Sequence, residues 1–298
     1  MSLRRTAIIA LTSLTVILIC CEAGLRLAGA GSYPLYEIDD EIKYIPSADQ
    51  HGSYLNRYAW HFNNRHMASS VDWSAENHPN LVLIGNSIVL GGPTSDYEEK
   101  LGARLENELG GKYRVWPVAA GGWTNINEMA YLDRNADVWR NADSVIIEFM
   151  QGGLSIPAPW PGYDVFPDKR PRLLTAYVLR QYWRSLLANR RAREFGALPQ
   201  TGMPDKSQLE RFKALAANIA RDRKLVIFLY PTGADLRKRL EWQRAIAPIV
   251  EVCKATAAKC VDIAQAPAWS ESAYFGDGVH QTAEGTQILA SILARAVD

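Results

Sequence analysis

The chain lacks a charge excess. Lysine and arginine number 33 against 32 aspartates and glutamates, a formal net charge of +1. A nucleic-acid partner asks for a concentrated basic face, so this balance points to no nucleic-acid ligand. Histidine is scarce: His51, His61, His66 and His78 precede the first buried strand, and His280 stands alone near the end. A His-rich zinc centre therefore has no support beyond that early stretch, and no metal is expected. Cysteine is limited to four residues. Cys20 and Cys21 fall in an N-terminal apolar run. Cys253 and Cys260 either pair, if their domain lies outside the cytoplasm, or remain two buried thiols. No internal repeat is present, which sets aside solenoids and propellers.

What the chain does have is an ordinary globular composition, 48% hydrophobic and 22% charged. Its N-terminus stands apart. Arg4 and Arg5 precede the apolar run Ala7 to Cys21, which Ala23, Gly24 and Leu25 extend past Glu22. Counted from Thr6 to Leu25 the run reaches the roughly 20 residues that a membrane span needs. Glu22 then falls near the outer interface, where a carboxylate costs less than at the centre. The two arginines favour a cytoplasmic N-terminus. The preferred reading of residues 1–29 is an uncleaved signal-anchor or transmembrane helix. Cleavage after Ala28-Gly29-Ala30 competes with it. A lipoprotein is disfavoured by Ile19 before Cys20, and a buried helix of a soluble protein is the plainest alternative.

Residues 30–79 show no clear periodicity and read as an irregular approach segment. The alternation of Tyr58, Trp60 and Phe62 gives it a short hairpin packed on the domain that begins at residue 80. From residue 80 apolar runs alternate with helical patterns. Strands are expected at Leu81 to Ile84, Tyr113 to Ala119, Ser144 to Met150, Lys224 to Tyr230 and Cys260 to Ile263. Helices are expected at Asp96 to Leu109, Asn125 to Ala136 and about 173–194, 206–221, 235–257 and 281–296. Alternation of this kind implies a parallel sheet with crossover helices, and continuous apolarity implies that both sheet faces are covered. Fifteen prolines and nine tryptophans suggest elaborate loops. The longest runs from Gln151 to Pro171, after the third strand, where open sheets place ligands. The helix Tyr177 to Glu194 carries Arg180, Arg184, Arg190, Arg191 and Arg193. It reads as a solvated face, with a lipid-facing helix as the alternative.

Two short blocks carry chemistry. Gly85-Asn86-Ser87 ends the first strand, where a tight turn can hold a serine out of the sheet with backbone N–H groups converging nearby. Asp277 and His280, in Phe275-Gly-Asp-Gly-Val-His280, let a carboxylate orient an imidazole that reaches a serine elsewhere. Taken singly, each is also an ordinary turn.

Together the blocks resemble the SGNH/GDSL hydrolase family, over residues 80 to 296. The resemblance is to membrane-anchored members of bacterial envelopes, with His61-Phe-Asn-Asn-Arg65 as a further point of likeness. It implies a flavodoxin-like three-layer α/β/α domain over 80–298 with a parallel central sheet, preceded by one transmembrane helix. It implies Ser87 as nucleophile with Asp277 and His280, and no cofactor. The oxyanion hole would use the N–H of Ser87 and of Gly122 in Ala120-Gly-Gly-Trp123, with Gly121 as the alternative. The family's third block, Gly-x-Asn, is replaced here by Glu148-Phe-Met-Gln-Gly-Gly153. Gln151, Asn125 or the backbone of Gly152 or Gly153 would have to supply the missing donor. Trp123, Trp160 and Tyr163 are candidates for a sugar-stacking rim. The implied activity is a serine esterase or O-acyltransferase acting on acylated glycans or small esters, outside an inner membrane crossed once. Polysaccharide assembly machinery is the expected partner. The alternative is a degenerate SGNH-like scaffold or carbohydrate-binding component.

Overall fold

The structure is a computed structural model and describes residues 3–76, 79–195 and 204–298. His78 and the side chains of Arg190, Arg191 and Arg193 lie outside the described residues. Helix α1, Leu3–Leu27, begins the chain. Its segment Arg4–Leu27 is 24 residues long, apolar and wholly unburied, long enough to cross a membrane.

The approach segment holds more order than its sequence announced. It forms two antiparallel hairpins, β1 Tyr36–Asp39 with β2 Lys43–Pro46 and β3 Gln50–Tyr54 with β4 Tyr58–Phe62. Tyr36, Tyr44, Trp60 and Phe62 are buried.

The central sheet has five parallel strands: β5 Asn80–Gly85, β6 Arg114–Ala119, β7 Ser144–Phe149, β8 Lys224–Leu229 and β9 Lys259–Asp262. Their spatial order is β6-β5-β7-β8-β9. Numbered within the sheet this is 2-1-3-4-5, the flavodoxin-like order. The strand period of two splits the apolar run of β5 between two cores. Leu81 and Leu83 join one core with Leu101, Leu105, Leu289 and Leu293. Val82 and Ile84 join the other with Ile126, Met129, Phe212, Ile219 and Trp242. The first core is capped by α3 Leu101–Glu108 and, later in the chain, by the C-terminal helix; the opposite one by helices from the middle of the chain. Each fully buried leucine or valine stabilises the fold by about 1.5–3 kcal/mol.

Between β5 and α3 stands a four-residue helix, α2 Ser87–Leu90, which the sequence did not announce. The other helices are α4 Asn125–Arg134, α5 Ala136–Arg140, α6 Leu174–Phe195, α7 Lys206–Asp222, α8 Gly233–Arg237, α9 Arg239–Thr256 and α10 Ala283–Val297. The expected 235–257 helix is two, because the Thr232 cap and Asp235 close a separate turn before Lys238. Cys253 and Cys260 are joined as a disulfide, with Cα atoms 5.8 Å apart, tying the end of α9 to β9.

Candidate active site

Strand β5 has β6 on one side and β7 on the other, so the chain reverses its direction of winding there. Ligands of open α/β sheets bind in the crevice that this reversal opens at the strands' C-terminal ends. Ser87 stands at that point. The turn carrying it is fixed from below. Asn86 caps α2 by accepting from the Ile88 N–H at 2.9 Å. The Asn86 N–H donates to Glu148 Oε2 at 2.9 Å, and its amide reaches Met150 Sδ at 3.2 Å. Gly85 is required there, since a Cβ would lie 2.3 Å from Glu148 Oε2.

The loop before α10 arrives from the far end of the chain. Asp277 Oδ1 accepts from the N–H groups of Val279 (2.9 Å) and His280 (3.0 Å), which folds the turn. Asp277 Oδ2 lies 2.6 Å from His280 Nδ1, and His280 Nε2 lies 2.9 Å from Ser87 Oγ. Two links register the loop against the sheet. The Gln281 amide donates to the Ile88 carbonyl at 2.7 Å, and the Tyr230 hydroxyl donates to the Val279 carbonyl at 2.8 Å. Both positioning residues escaped sequence reasoning, because neither lies in a motif. Burial pushes the Asp277 carboxyl up. The His280 side chain and the two backbone N–H groups outweigh it and hold the group below its ordinary value. Asp277 is thus a carboxylate at neutral pH, suited to holding the imidazole with its Nε2 as acceptor.

The oxyanion side is different. Gly122 holds φ of +78°, a conformation that favours glycine. No hydrogen bond among the described residues uses the N–H of Gly122 or of Ser87. Asn125 is not a free donor. It is buried, and its amide donates to Glu128 Oε2 at 2.8 Å and to the Glu148 carbonyl at 2.5 Å. Gln151 does not line the groove beside Ser87. Asn125 therefore drops out of the expected oxyanion set; Gly122 is likewise not among the groove-lining residues, whereas Gly121 is. Beneath the Ser87 turn lies a buried pair of carboxyls, Glu148 near the end of β7 and Glu128 in α4. Burial pushes Glu148 up to about 8, against the lowering pull of the Asn86 N–H. Burial, with Glu148 nearby, raises Glu128 well above its ordinary value.

A groove of ≈ 830 Å³ passes over Ser87, Asp277 and His280. Its wall is not the expected rim. Trp123 is a core residue, 3% exposed, whose indole N–H donates to the Tyr44 carbonyl at 2.7 Å. The Trp160 indole turns inward to the Phe166 carbonyl at 2.8 Å, and Tyr163 packs edge-on against Tyr177. The proline-rich loop reaches the groove through Val165, Phe166 and Pro167, and Phe166 packs at a tilt against Tyr36 and stacks on Tyr44. The approach segment supplies most of the other aromatics, among them Tyr54, Tyr58, Trp60 and Phe62, and Tyr177 and Phe275 add to them. The alternation of Tyr58, Trp60 and Phe62 was their signal, read as packing alone. Lys100 also lines the groove, and burial lowers its ammonium to about 8.

The fold is SGNH-hydrolase-like. This rests on the sheet order and on the serine after its first strand, with an Asp-x-x-His loop before the last helix. No family model and no curated protein sequence matches the chain. Solved structures are similar at low identity. TesA is 15% identical, covering 74% of this chain and 98% of its own, with a TM-score of 0.48. A catalytic mutant of the acetylxylan esterase Axe2 from Geobacillus stearothermophilus is 16% identical, over 74% and 94%, with a TM-score of 0.45. The psychrotrophic esterase EstA from Pseudoalteromonas sp. is 13% identical, over 73% and 96%, with a TM-score of 0.46.

Proposed function

We propose that the chain is a membrane-anchored serine esterase or O-acyltransferase acting on O-acyl esters of envelope or exported polysaccharide. The observation that carries this reading is the aligned relay of Asp277, His280 and Ser87 at 2.6 and 2.9 Å. His280 Nε2 takes the Ser87 proton as Oγ bonds to the ester carbonyl carbon. The carbonyl electrons move to oxygen, where the N–H of Ser87 and that of Gly122, or of Gly121 as the alternative, would donate. Collapse of this adduct breaks the C–O bond. The departing alkoxide takes the proton from His280 and leaves an acyl group on Ser87. Water, or a sugar hydroxyl, then attacks the acyl carbon and gives its proton to His280. Ser87 leaves and recovers that proton. Water makes the reaction hydrolysis, and a sugar makes it transfer.

The groove favours a ligand with flat, partly apolar faces, because aromatic rings line it on the side of the approach segment. Sugars meet that description. The anchored, outward topology draws on Arg4 and Arg5 in the first turn of α1 and on the Cys253–Cys260 disulfide, which suits an oxidising compartment. A second reading, a scaffold or carbohydrate-binding component of polysaccharide assembly, is favoured by one observation. The amide of Asn125 is committed to Glu128 and Glu148, and Gln151 is not among the groove-lining residues. Turnover of p-nitrophenyl acetate by the full chain and by Ser87→Ala separates the two. Serine-dependent turnover supports the enzyme, whereas equal rates support the scaffold.

A further inference from the structure

Helix α6 leaves the domain soon after it begins. Leu174 and Tyr177 are buried, but every residue from Leu179 to Leu187 is exposed. Among these, Leu179, Tyr182, Trp183, Leu186 and Leu187 stand at i, i+3, i+4, i+7 and i+8, a single helical face. That face points away from the protein. The opposite face is tethered to it, through Gln181 on the Asp164 carbonyl (3.2 Å) and on the Tyr177 hydroxyl (2.7 Å). Arg180 and Arg184 each approach the Asp164 carboxylate at 3.5 Å.

The start of α6 is pinned to α1. Glu22 accepts from the N–H of Leu174 (3.0 Å), and from the N–H (2.8 Å) and hydroxyl (2.9 Å) of Thr175. Arg26 adds a bond to the Arg172 carbonyl at 3.0 Å. At 1.5 Å per residue, Glu22 lies about 8 Å from the end of α1 at Leu27. The 24-residue span Arg4–Leu27 is about 36 Å long against a hydrocarbon layer of about 30 Å. A centred span therefore projects about 3 Å beyond that layer at each end and sets Glu22, and with it the first turn of α6, about 5 Å inside the outer boundary, the depth at which an interfacial helix buries its apolar face.

We propose that α6 lies in the headgroup layer of the same bilayer that α1 crosses, with its Leu-Tyr-Trp face toward the acyl chains. The proposal rests on the reading of α1 as a membrane span. Tryptophan and tyrosine favour this depth, leucine favours the acyl boundary, and flanking arginines suit anionic lipid phosphates. Tyr177 and Gln181, on the first turns of α6, line the groove beside Tyr33 and Pro34. An α6 lying on the lipid thus holds that end of the groove at the membrane surface.

The test uses the full chain with Cys20→Ala and Cys21→Ala, reconstituted in phosphatidylcholine vesicles containing phosphatidylglycerol. Single cysteines carry an environment-sensitive fluorophore. They are introduced as Leu179→Cys, Trp183→Cys or Leu187→Cys on the apolar face, and as Gln181→Cys or Arg184→Cys opposite. Thr15→Cys reports on α1. The expected result is blue-shifted emission on the apolar face, with quenching by spin-labelled lipid several-fold stronger than for the Gln181 and Arg184 labels. Equal quenching of both faces by aqueous iodide overturns the proposal. So does shielding of the apolar face that comes with energy transfer between copies, since a second copy would then cover it. A lipid-quenched Thr15 label alongside water-exposed apolar-face labels sinks the α6 placement and leaves the anchor standing. A water-exposed Thr15 label sinks the anchor, and the proposal with it.

Discussion

Two carboxyl groups flank Ser87 and live in opposite environments. Asp277 has a side chain 50% exposed, is held below its ordinary pKa, and faces His280. Glu148 is fully buried, is pushed up to about 8, and faces the backbone of Asn86, the residue before Ser87. The contrast separates two tasks. A carboxylate in contact with water stays ionised and can stabilise a transient imidazolium. A buried carboxyl stays protonated at neutral pH and serves as a fixed acceptor for a peptide N–H. One side of the site has the geometry to pass a proton, and the other holds the turn.

The sharpest way to break this comparison is at the exposed side. Asp277→Asn keeps the size but loses the charge, and can invert the tautomer it selects at His280. The expected loss in kcat is about 10²- to 10⁴-fold, with thermal stability nearly unchanged, because a half-exposed polar pair contributes little and the asparagine keeps the oxygen that accepts from the Val279 and His280 N–H groups. Steady-state kinetics beside a melting curve checks both halves. A fall in stability without a fall in kcat would place Asp277 in the architecture alone.

The buried side should behave in the reverse way. Between pH 4.5 and about 8 the folded protein keeps a proton on Glu148 that the unfolded chain has released. Stability therefore falls as pH rises through that window, by up to about 1.4 kcal/mol per pH unit. Glu128, raised for the same reason, adds in the same direction. Glu148→Gln keeps an acceptor for the Asn86 N–H and should flatten the slope, read from urea midpoints at several pH values. Glu148→Ala leaves that N–H unpaired and should cost about 1–3 kcal/mol at every pH.

Smaller effects test the surroundings. Replacing the Cys253–Cys260 disulfide by two alanines should lower stability by about 2 kcal/mol without changing kcat, since it closes only a short loop far along the sheet. Trp160→Phe should leave kcat/KM within about twofold, because its indole serves the Phe166 carbonyl and does not line the groove.

The same contrast explains what could be read from the residues. The sheet was legible because buried parallel strands are written as continuous apolar runs, and all five appear within a residue or two of their expected ends. Ser87, Asp277 and His280 were legible because side-chain chemistry needs those residue types. The oxyanion side is set by backbone N–H groups, which any sequence possesses. The short helix α2 left no periodic trace. Asn125 and Gln151 were chosen by amide chemistry, but tertiary packing ties Asn125 to Glu128 and Glu148. The rim failed for a related reason: Trp123 is a core residue, and the alternation of Tyr58, Trp60 and Phe62 marks a hairpin without showing that it borders the groove.

The central claim is that Ser87 is a nucleophile activated by His280. Its most direct test is the intact mass of the full chain after exposure to a serine-directed phosphonate, followed by peptide mapping. The account predicts one adduct, on Ser87, lost in Ser87→Ala and formed far more slowly in His280→Ala. No adduct on the intact chain, or an adduct elsewhere that persists in Ser87→Ala, would contradict it.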